Sequence, residues 1–515
     1  VGKTNIPIFK QIIFVACYPK SSGMCLQKSV RFFLVLLIAL LPFATPAQQL
    51  NQAYNKALED KIRRVENSLG GWVHSQDSLN YWNIQQRMAY YGVKGASIAV
   101  IENYKMVWAK GYGMADVKSK KPVTPQTLFQ AGSISKSVNA VGVLKLVQDE
   151  KLDLNEDINQ YLQTWNFPYD SLSKGKKITL AHLLSHSAGL TVHGFPGYAN
   201  GDTIPSVTEV LDGIPPANTK AVRSAFEPGV RFKYSGGGTT ISQMIVQDIT
   251  NMPYDEYMWQ NVLQPLSMTM SSYTQPPAHD QQQWLATGYR ANGKEVDTRF
   301  HVYPEQAAAG LWTNPTDLCK YIIETQLSLK GQSNKVLNTA MTHLRLTPYI
   351  DSSVALGVFI DRKKGEKYFG HNGADEGFLS AYTGSFENGN GVVVMVNSDN
   401  GKLLNEVINS VAIVYGWKGY YAPVNKKLVP VTAALADSYA GDYLLEGDTL
   451  TISRKANAHF LTVNRSEVSQ IYFSAPAVFF SKDLPLEFTF TKDAAGKVTG
   501  IYFKEGDKEM RAKKL

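Results

Sequence analysis

Two groups of strand-like sequence stand far apart in this 515-residue chain. Ala96-Ser97-Ile98-Ala99-Val100-Ile101 and Lys105-Met106-Val107-Trp108-Ala109 flank Glu102-Asn103-Tyr104 and predict a β-hairpin. Far downstream, residues 378–386 and 392–396 flank Asn388-Gly389-Asn390-Gly391, a second hairpin with strong turn chemistry. The residues between the two hairpins are mostly helix-compatible runs and polar loops. One sheet whose strands come from both sides of a helical block predicts an α+β fold: an antiparallel sheet flanked by helices, plus an all-helical block. Residues 50–92 read as an amphipathic helix plus connector, and 403–415 as a closing helix.

The first 47 residues stand apart from that fold. Lys28 and Arg31 precede the apolar run 32–41, and small residues then lead to Ala47. This is the pattern of a secretory signal peptide with cleavage after Ala47, the natural start being Met24. The apolar run is short for a membrane span, so contact with a membrane is expected only through this segment if it stays uncleaved. Mature protein would be exported, periplasmic or extracellular. Removing Lys3, Lys10, Lys20, Lys28 and Arg31 takes the net charge from +8 to +3. So mild a balance gives no footprint for nucleic acid. Of three cysteines only Cys319 remains, so the mature chain can form no internal disulfide.

The chemistry centres on Gln130-Ala131-Gly132-Ser133-Ile134-Ser135-Lys136, followed by Val138, Val141, Val143, Leu144, Leu146 and Val147. If a helix starts near Ser133, Lys136 sits one turn on, on the same face. Helix N–H groups and the positive end of the dipole favour an oxyanion there. A hydroxyl needs a neighbouring base to become a nucleophile, and a desolvated lysine can be that base. Taken alone, such a pair is usually an N-cap and a solvated lysine.

Further stretches are candidates for the rest of a site. Tyr234-Ser235-Gly236 lies on a Gly-rich turn before a helical run from Thr239, from which a phenol can project and relay a proton. Ala307-Ala308-Ala309-Gly310 lets backbones approach closely, and Asn314-Pro315-Thr316-Asp317 reads as a helix start. Residues 191–232 read as long surface loops. In 178–190, His186-Ser187-Ala188-Gly189 resembles a nucleophile elbow, but Ser185 stands where its first Gly belongs. His182 and His186 have i,i+4 spacing without the Glu of a zinc-protease helix. The segment reads instead as a structural helix end, with Gly189 as the stop.

Three motifs in order carry a resemblance over about residues 85–420. Ser133 to Lys136 is S-x-x-K, Tyr234-Ser235-Gly236 matches Tyr-x-Asn, and His371-Asn372-Gly373 matches Lys/His-x-Gly. The chain resembles the serine β-lactamase and penicillin-binding-protein superfamily, on the branch of class C β-lactamases, D-aminopeptidases, carboxypeptidases and related esterases. The resemblance implies an acylated Ser133, with Lys136 and Tyr234 sharing its proton and His371 orienting substrate or the tyrosine. It implies an oxyanion hole from the backbone N–H groups of Ser133 and Ala374, worth about 3–4 kcal/mol per donor. Ser235, Gly236, Asn372 and Gly373 would line the substrate, a small-molecule ester or peptide, including cell-wall-derived ones. No cofactor and no metal are implied.

Two departures matter. Gly236 lacks the Asn amide, and His371 replaces the lysine of true class C enzymes. Both argue against an efficient antibiotic-destroying enzyme and for an esterase or peptidase. The missing Asn keeps one rival, a non-catalytic penicillin-binding receptor using the same pocket; a second rival keeps hydrolysis but moves the nucleophile to Ser187 with a His base. Past residue 425 short alternating strands follow, as in Leu486-Glu487-Phe488-Thr489-Phe490. They predict a small all-β, barrel-like domain, similar to the lipocalin-like domain that follows some relatives. The expected organisation is a leader over 1–47, a β-lactamase-like domain over 48–425 and an accessory β domain over 426–515.

Overall fold

The computed structural model describes residues 54–75, 80–445, 448–456, 458–464, 467–482, 486–505 and 508–515. The expected leader lies outside them. Residues 57–515 form one compact unit. Among the described residues no helix is long and apolar enough to cross a membrane.

The segment expected to be one helix is two, α1 (Lys56–Glu66) and α2 (Ile84–Tyr91), with strand β1 (Val73–Ser75) between them. The break follows from Gly70 and Gly71. A Cβ on Gly71 would lie 2.3 Å from the Lys482 carbonyl oxygen, so this backbone is pressed against a distant turn and cannot stay helical. The first hairpin is β2 (Gly95–Glu102) and β3 (Lys105–Asp116), joined through Asn103 and Tyr104, both left-handed at φ 54° and 61°. Two such residues make the turn that matches strand twist.

After β4 (Lys121–Pro122) and β5 (Phe129–Gln130) the helical block begins with α3 (Ile134–Gln148) and α4 (Leu180–Leu184). The 191–232 region is not purely loop: it holds β6 (Tyr198–Ala199) and α5 (Val207–Asp212), the latter closed by a capping box from Ser206 and Glu209. Then come α6 (Gly236–Thr250), α7 (Tyr254–Met258), β7 (His301–Val302), α8 (Gln306–Ala309), β8 (Trp312–Thr313), α9 (Pro315–Leu329) and α10 (Thr339–Arg345). Asn314 caps α9 as its sequence predicts.

The chain returns to the sheet with β9 (Phe359–Lys363), β10 (Glu366–Asp375), β11 (Phe378–Ser385) and β12 (Gly391–Val396), then α11 (Lys402–Val414). The seven strands lie in the order β4-β3-β2-β12-β11-β10-β9. Early and late strands meet at the β2–β12 pair, with Ser97 opposite Met395. Ala99, Ile101, Val393 and Met395 enter the main core with α3 and α9. Their neighbours Ile98, Val100, Val392 and Val394 are equally buried. Successive side chains point to opposite faces, so both faces of these central strands are covered, and their sequence is a continuous apolar run rather than an alternating one.

Beyond β13 (Val424–Lys426), which pairs with β1, and α12 (Ala433–Tyr439) lies a closed antiparallel barrel. Its strands are β14 (Gly441–Leu445), β15 (Asp448–Lys455), β16 (Ala458–Val463), β17 (Glu467–Ala475), β18 (Val478–Ser481), β19 (Glu487–Lys492), β20 (Val498–Glu505) and β21 (Lys508–Lys514). Closure pairs β14 with β21 and removes the exposed edges. Rings fill the interior: Phe473, Phe479, Phe488, Phe490 and Phe503 pack with Tyr439 and Tyr443. Tyr439 stacks on Phe490 at 3.9 Å between ring centres.

Candidate functional site

The site forms where α3 begins. Just ahead of it β5 pairs with β8, and Ala131 N–H donates to the Leu311 carbonyl at 2.8 Å. Gly132 is left-handed at φ 52°, and a Cβ there would lie 2.4 Å from Ala374 N. Only glycine lets β10 pass this close to the start of the helix. Gly373 is as tight, with a built Cβ 1.8 Å from the Ala131 carbonyl oxygen. These two contacts bring Ala374, exposed on β10, beside Ser133 at the head of α3.

Ser133 holds the N-cap position, but its side chain makes no capping bond. Its hydroxyl is engaged by the next turn instead: Lys136 Nζ donates to Ser133 Oγ at 2.9 Å. The same Nζ donates to the Ala308 carbonyl at 2.7 Å, so the small-residue stretch on α8 supplies a carbonyl at close range. Lys136 is buried and has Nζ 5.1 Å from the centre of the Tyr234 ring. A hydroxyl at a helix start, with an amine in hydrogen-bond reach and a phenol beside it, is equipped as a nucleophile with a base and a relay.

Tyr234 precedes α6, whose helix starts at Gly236, earlier than the run from Thr239 suggests. Three histidines pack on its ring. His186 is centred 4.2 Å away, His193 4.9 Å and His371 6.3 Å. Phe359 of β9 completes the set at 6.5 Å.

His371 on β10 is buried. Its Nδ1–H donates to the Asn372 carbonyl at 2.6 Å, and its Nε2 is buried without a partner. Burial, with a lesser push from the Lys136 charge, drives its pKa down to about 3. It is therefore a neutral ring whose Nε2 lone pair can accept a bond, and not a cation. His186 is likewise held well below the usual imidazole range, first by burial and then by Lys136; its Nδ1 accepts from Ser235 N–H at 3.3 Å.

The structure brings Ser133, Lys136, Tyr234, His371 and Ala374 together. It treats the four residues expected to line substrate differently. The Ser235 side chain turns inward: Oγ donates to the Thr191 carbonyl at 2.7 Å and accepts from Gly238 N–H, capping α6. Gly236 and Gly373 are buried in backbone contacts, and only Asn372 is exposed. The first turn of α6 consumes Ser235 and Gly236 as a helix start, so neither presents a side chain to the cleft.

The 178–190 region also differs from expectation. Helix α4 stops at Leu184, and Gly189 lies well beyond its end. The left-handed residue near the stop is His186, at φ 55°. Ser185 Oγ bonds back to the Ala181 carbonyl, and the turn delivers the His186 ring to Tyr234. His182 goes elsewhere, its Nδ1 accepting from Thr179 N–H. Ser187 is fully buried, with its hydroxyl against Ser185 Oγ at 2.8 Å rather than against a histidine.

Two buried carboxyls near the site escaped sequence reasoning. Glu305, ahead of α8, is fully buried with neither oxygen hydrogen-bonded, and burial lifts its pKa to about 8. Asp375, next after Ala374, is buried too and is raised well above the carboxylate range, chiefly by burial and further by Glu305. The alternation of β10 put Asp375 on the inner face, a signal that was available. Nothing in the local pattern marked Glu305 or His193.

Residues 83–412 match the family model described as Beta-lactamase. The curated Protein flp of Staphylococcus aureus (strain N315) is 26% identical over 318 residues, 59% of this chain and 60% of that protein. The chain thus spans about three-fifths of that relative's length. Among solved structures, the octameric penicillin-binding protein homologue from Pyrococcus abyssi superposes with a TM-score of 0.59 at 21% identity, covering 83% of this chain and 98% of its own. D-alanine carboxypeptidase AmpC from Burkholderia cenocepacia does so with a TM-score of 0.52 at 17% identity, covering 70% and 99%. Both likenesses are of fold.

Proposed function

The chain belongs to the β-lactamase family of serine hydrolases, and from that premise we propose that it is an exported hydrolase cleaving a small ester or amide through an acyl-enzyme on Ser133. One observation carries the reading: Lys136 Nζ, buried and anchored on the Ala308 carbonyl, lies 2.9 Å from Ser133 Oγ. In this scheme Ser133 Oγ attacks the carbonyl carbon while Lys136 and Tyr234 take its proton as one unit. The negative oxygen rests on the N–H groups of Ser133 and Ala374. The same proton then goes to the leaving group as its bond to carbon breaks, and a water activated by the pair releases the acid and restores Ser133.

His371 serves as a neutral ring that packs beside the phenol, 6.3 Å between ring centres. Its low basicity leaves no imidazolium to hold a substrate carboxylate, which supports an esterase or peptidase over a β-lactamase. The C-terminal barrel is an accessory module. It is tied on by bonds such as Val73 N–H to the Lys482 carbonyl and Lys402 Nζ to Ser469 Oγ.

The test is covalent labelling. Purified mature protein should form an adduct at Ser133 with a fluorophosphonate and turn over a small activated ester, and Ser133→Ala should lose both. Intact turnover in Ser133→Ala would sink the mechanism. A labelled penicillin that stays stoichiometric and permanent, with no turnover of any ester or D-amino-acid peptide, would favour the receptor.

A further inference from the structure

The hydrolase reading leaves unexplained why an exposed imidazole is held over Tyr234 by a strained loop. Of the rings packed on Tyr234, His186 and His371 are buried and Phe359 is half-buried, whereas His193 is exposed. The loop carrying His193 is tied to the head of α6 at consecutive carbonyls. Ser235 Oγ donates to Thr191 O at 2.7 Å, Gly237 N–H to Val192 O at 3.1 Å, and Gly236 N–H to His193 O at 2.9 Å. Those N–H groups are ones a helix start leaves without intrahelical partners. Val192 is held at φ 59°, an outlier for a β-branched residue.

Gly236 completes the arrangement. A Cβ there would come to 3.0 Å from both His193 O and the Phe195 ring. A side chain at 236 and a loop at 193–195 compete for one volume, and this chain has chosen the loop. Partial burial, and after it the charges of Lys136 and Lys233, hold the His193 pKa below its ordinary value. Lys233 thus sets a positive charge near an imidazole whose basicity is reduced.

The proton that Lys136 and Tyr234 take from Ser133 must return to the leaving group. That group accordingly departs along the face bounded by Tyr234, and His193 stands on this face. We propose that His193 is a substrate-contacting, specificity-determining residue that hydrogen-bonds a carboxylate on the leaving group, with Lys233 adding charge. The inference rests on the serine-hydrolase reading. It moves anion recognition from the buried His371 to an exposed loop that this chain's Gly236 makes room for.

Phenyl acetate and m-carboxyphenyl acetate share an acyl group and differ in leaving-group charge, so they isolate the contact. Wild type should favour the carboxyphenyl ester through a lower KM. His193→Ala should raise KM for that ester about tenfold, the loss expected for a hydrogen bond to a charged group, with kcat and all phenyl acetate parameters within about twofold. His193→Gln keeps an N–H donor and should recover part of the loss. Gly236→Ala, which crowds His193 O and the Phe195 ring, should also raise KM for the carboxyphenyl ester. Equal losses on both esters would mean that His193 only props Tyr234, and unchanged KM on both would mean that it touches nothing; either overturns the inference. Fluorophosphonate labelling of Ser133, run on the same samples, separates the two levels. An unlabelled, inactive wild type overturns the hydrolase reading and this inference with it, whereas labelled, active enzyme without the KM split overturns this inference alone.

Discussion

The surroundings of Ser133 and the interior of the C-terminal barrel are both well buried, and they are filled with opposite materials. Around Ser133, buried positions carry Lys136, His186, Glu305, His371 and Asp375. Inside the barrel they carry stacked phenylalanines and tyrosines, with Phe479 4.7 Å from Phe490 and 4.8 Å separating Phe488 from Phe503. Burying ionisable groups without full pairing opposes folding, whereas burying rings drives it. The unpartnered oxygens of Glu305 and the bare Nε2 of His371 therefore mark a region organised for chemistry at the expense of stability. The barrel, with its interior of packed rings, is organised for stability.

Substitutions can break or sharpen this contrast. The largest effect is expected at Lys136. Lys136→Ala should reduce the acylation rate by about 1000-fold or more, nearly as far as Ser133→Ala, because such units lose function together. Stopped-flow labelling measures it, and near wild-type acylation in Lys136→Ala would remove the lysine from its role. Next comes the barrel. Phe490→Ala should destabilise the protein by about 3–5 kcal/mol in urea melts, while labelling of Ser133 per folded molecule stays within about twofold. If acylation falls in step with stability in the folded protein, the two regions are not separable as argued.

Third is Glu305. Below pH 4.5 its carboxyl is protonated in folded and unfolded chains alike. Between 4.5 and about 8 only the unfolded chain releases the proton, so stability falls as pH rises through that window and levels off above it. The slope attributable to this group is about 1.4 kcal/mol per pH unit. Glu305→Gln should flatten it, making the variant relatively more stable at pH 8 than at pH 5. Identical pH–stability profiles would show that the carboxyl ionises freely in the folded state.

The smallest effect is expected at His371. With its pKa pushed down to about 3, it stays neutral from pH 4 to 8 and cannot supply a titration step there. His371→Ala should lower activity about tenfold, because Tyr234 loses a ring packed against it and is held less firmly, and leave the midpoint of the rate–pH profile in place. A midpoint that disappears in this variant alone would make His371 the base. In stability the ring acts the other way from Glu305: between pH 6.5 and 3 the unfolded chain binds a proton that the folded chain refuses. Its contribution is present above 6.5 and is lost as pH falls.

Local rules were enough for the features whose causes are local. The two central hairpins follow from period and turn chemistry, since Asn103-Tyr104 and Asn388 to Gly391 accept turn geometry. The placement of Lys136 against Ser133 follows from one turn of helix, and the start of α9 from Asn314-Pro315. Composition and alternating strands likewise announced a β domain after residue 425. Tertiary structure decided what depends on which distant backbones touch. Helix α4 stops at Leu184 where the carbonyls of His186 and Ser187 accept from Lys233 and Gly229 N–H and the His186 ring packs on Tyr234, and α1 and α2 separate because Gly71 abuts the barrel. His186, His193 and His371 converge on one phenol from three segments, and the burial that sets the protonation of His371 and Glu305 comes from neighbours far away in sequence. A side chain's rotamer face is fixed by its own helix or strand, but its solvation is fixed by whatever packs over it, and desolvation is what shifts a pKa.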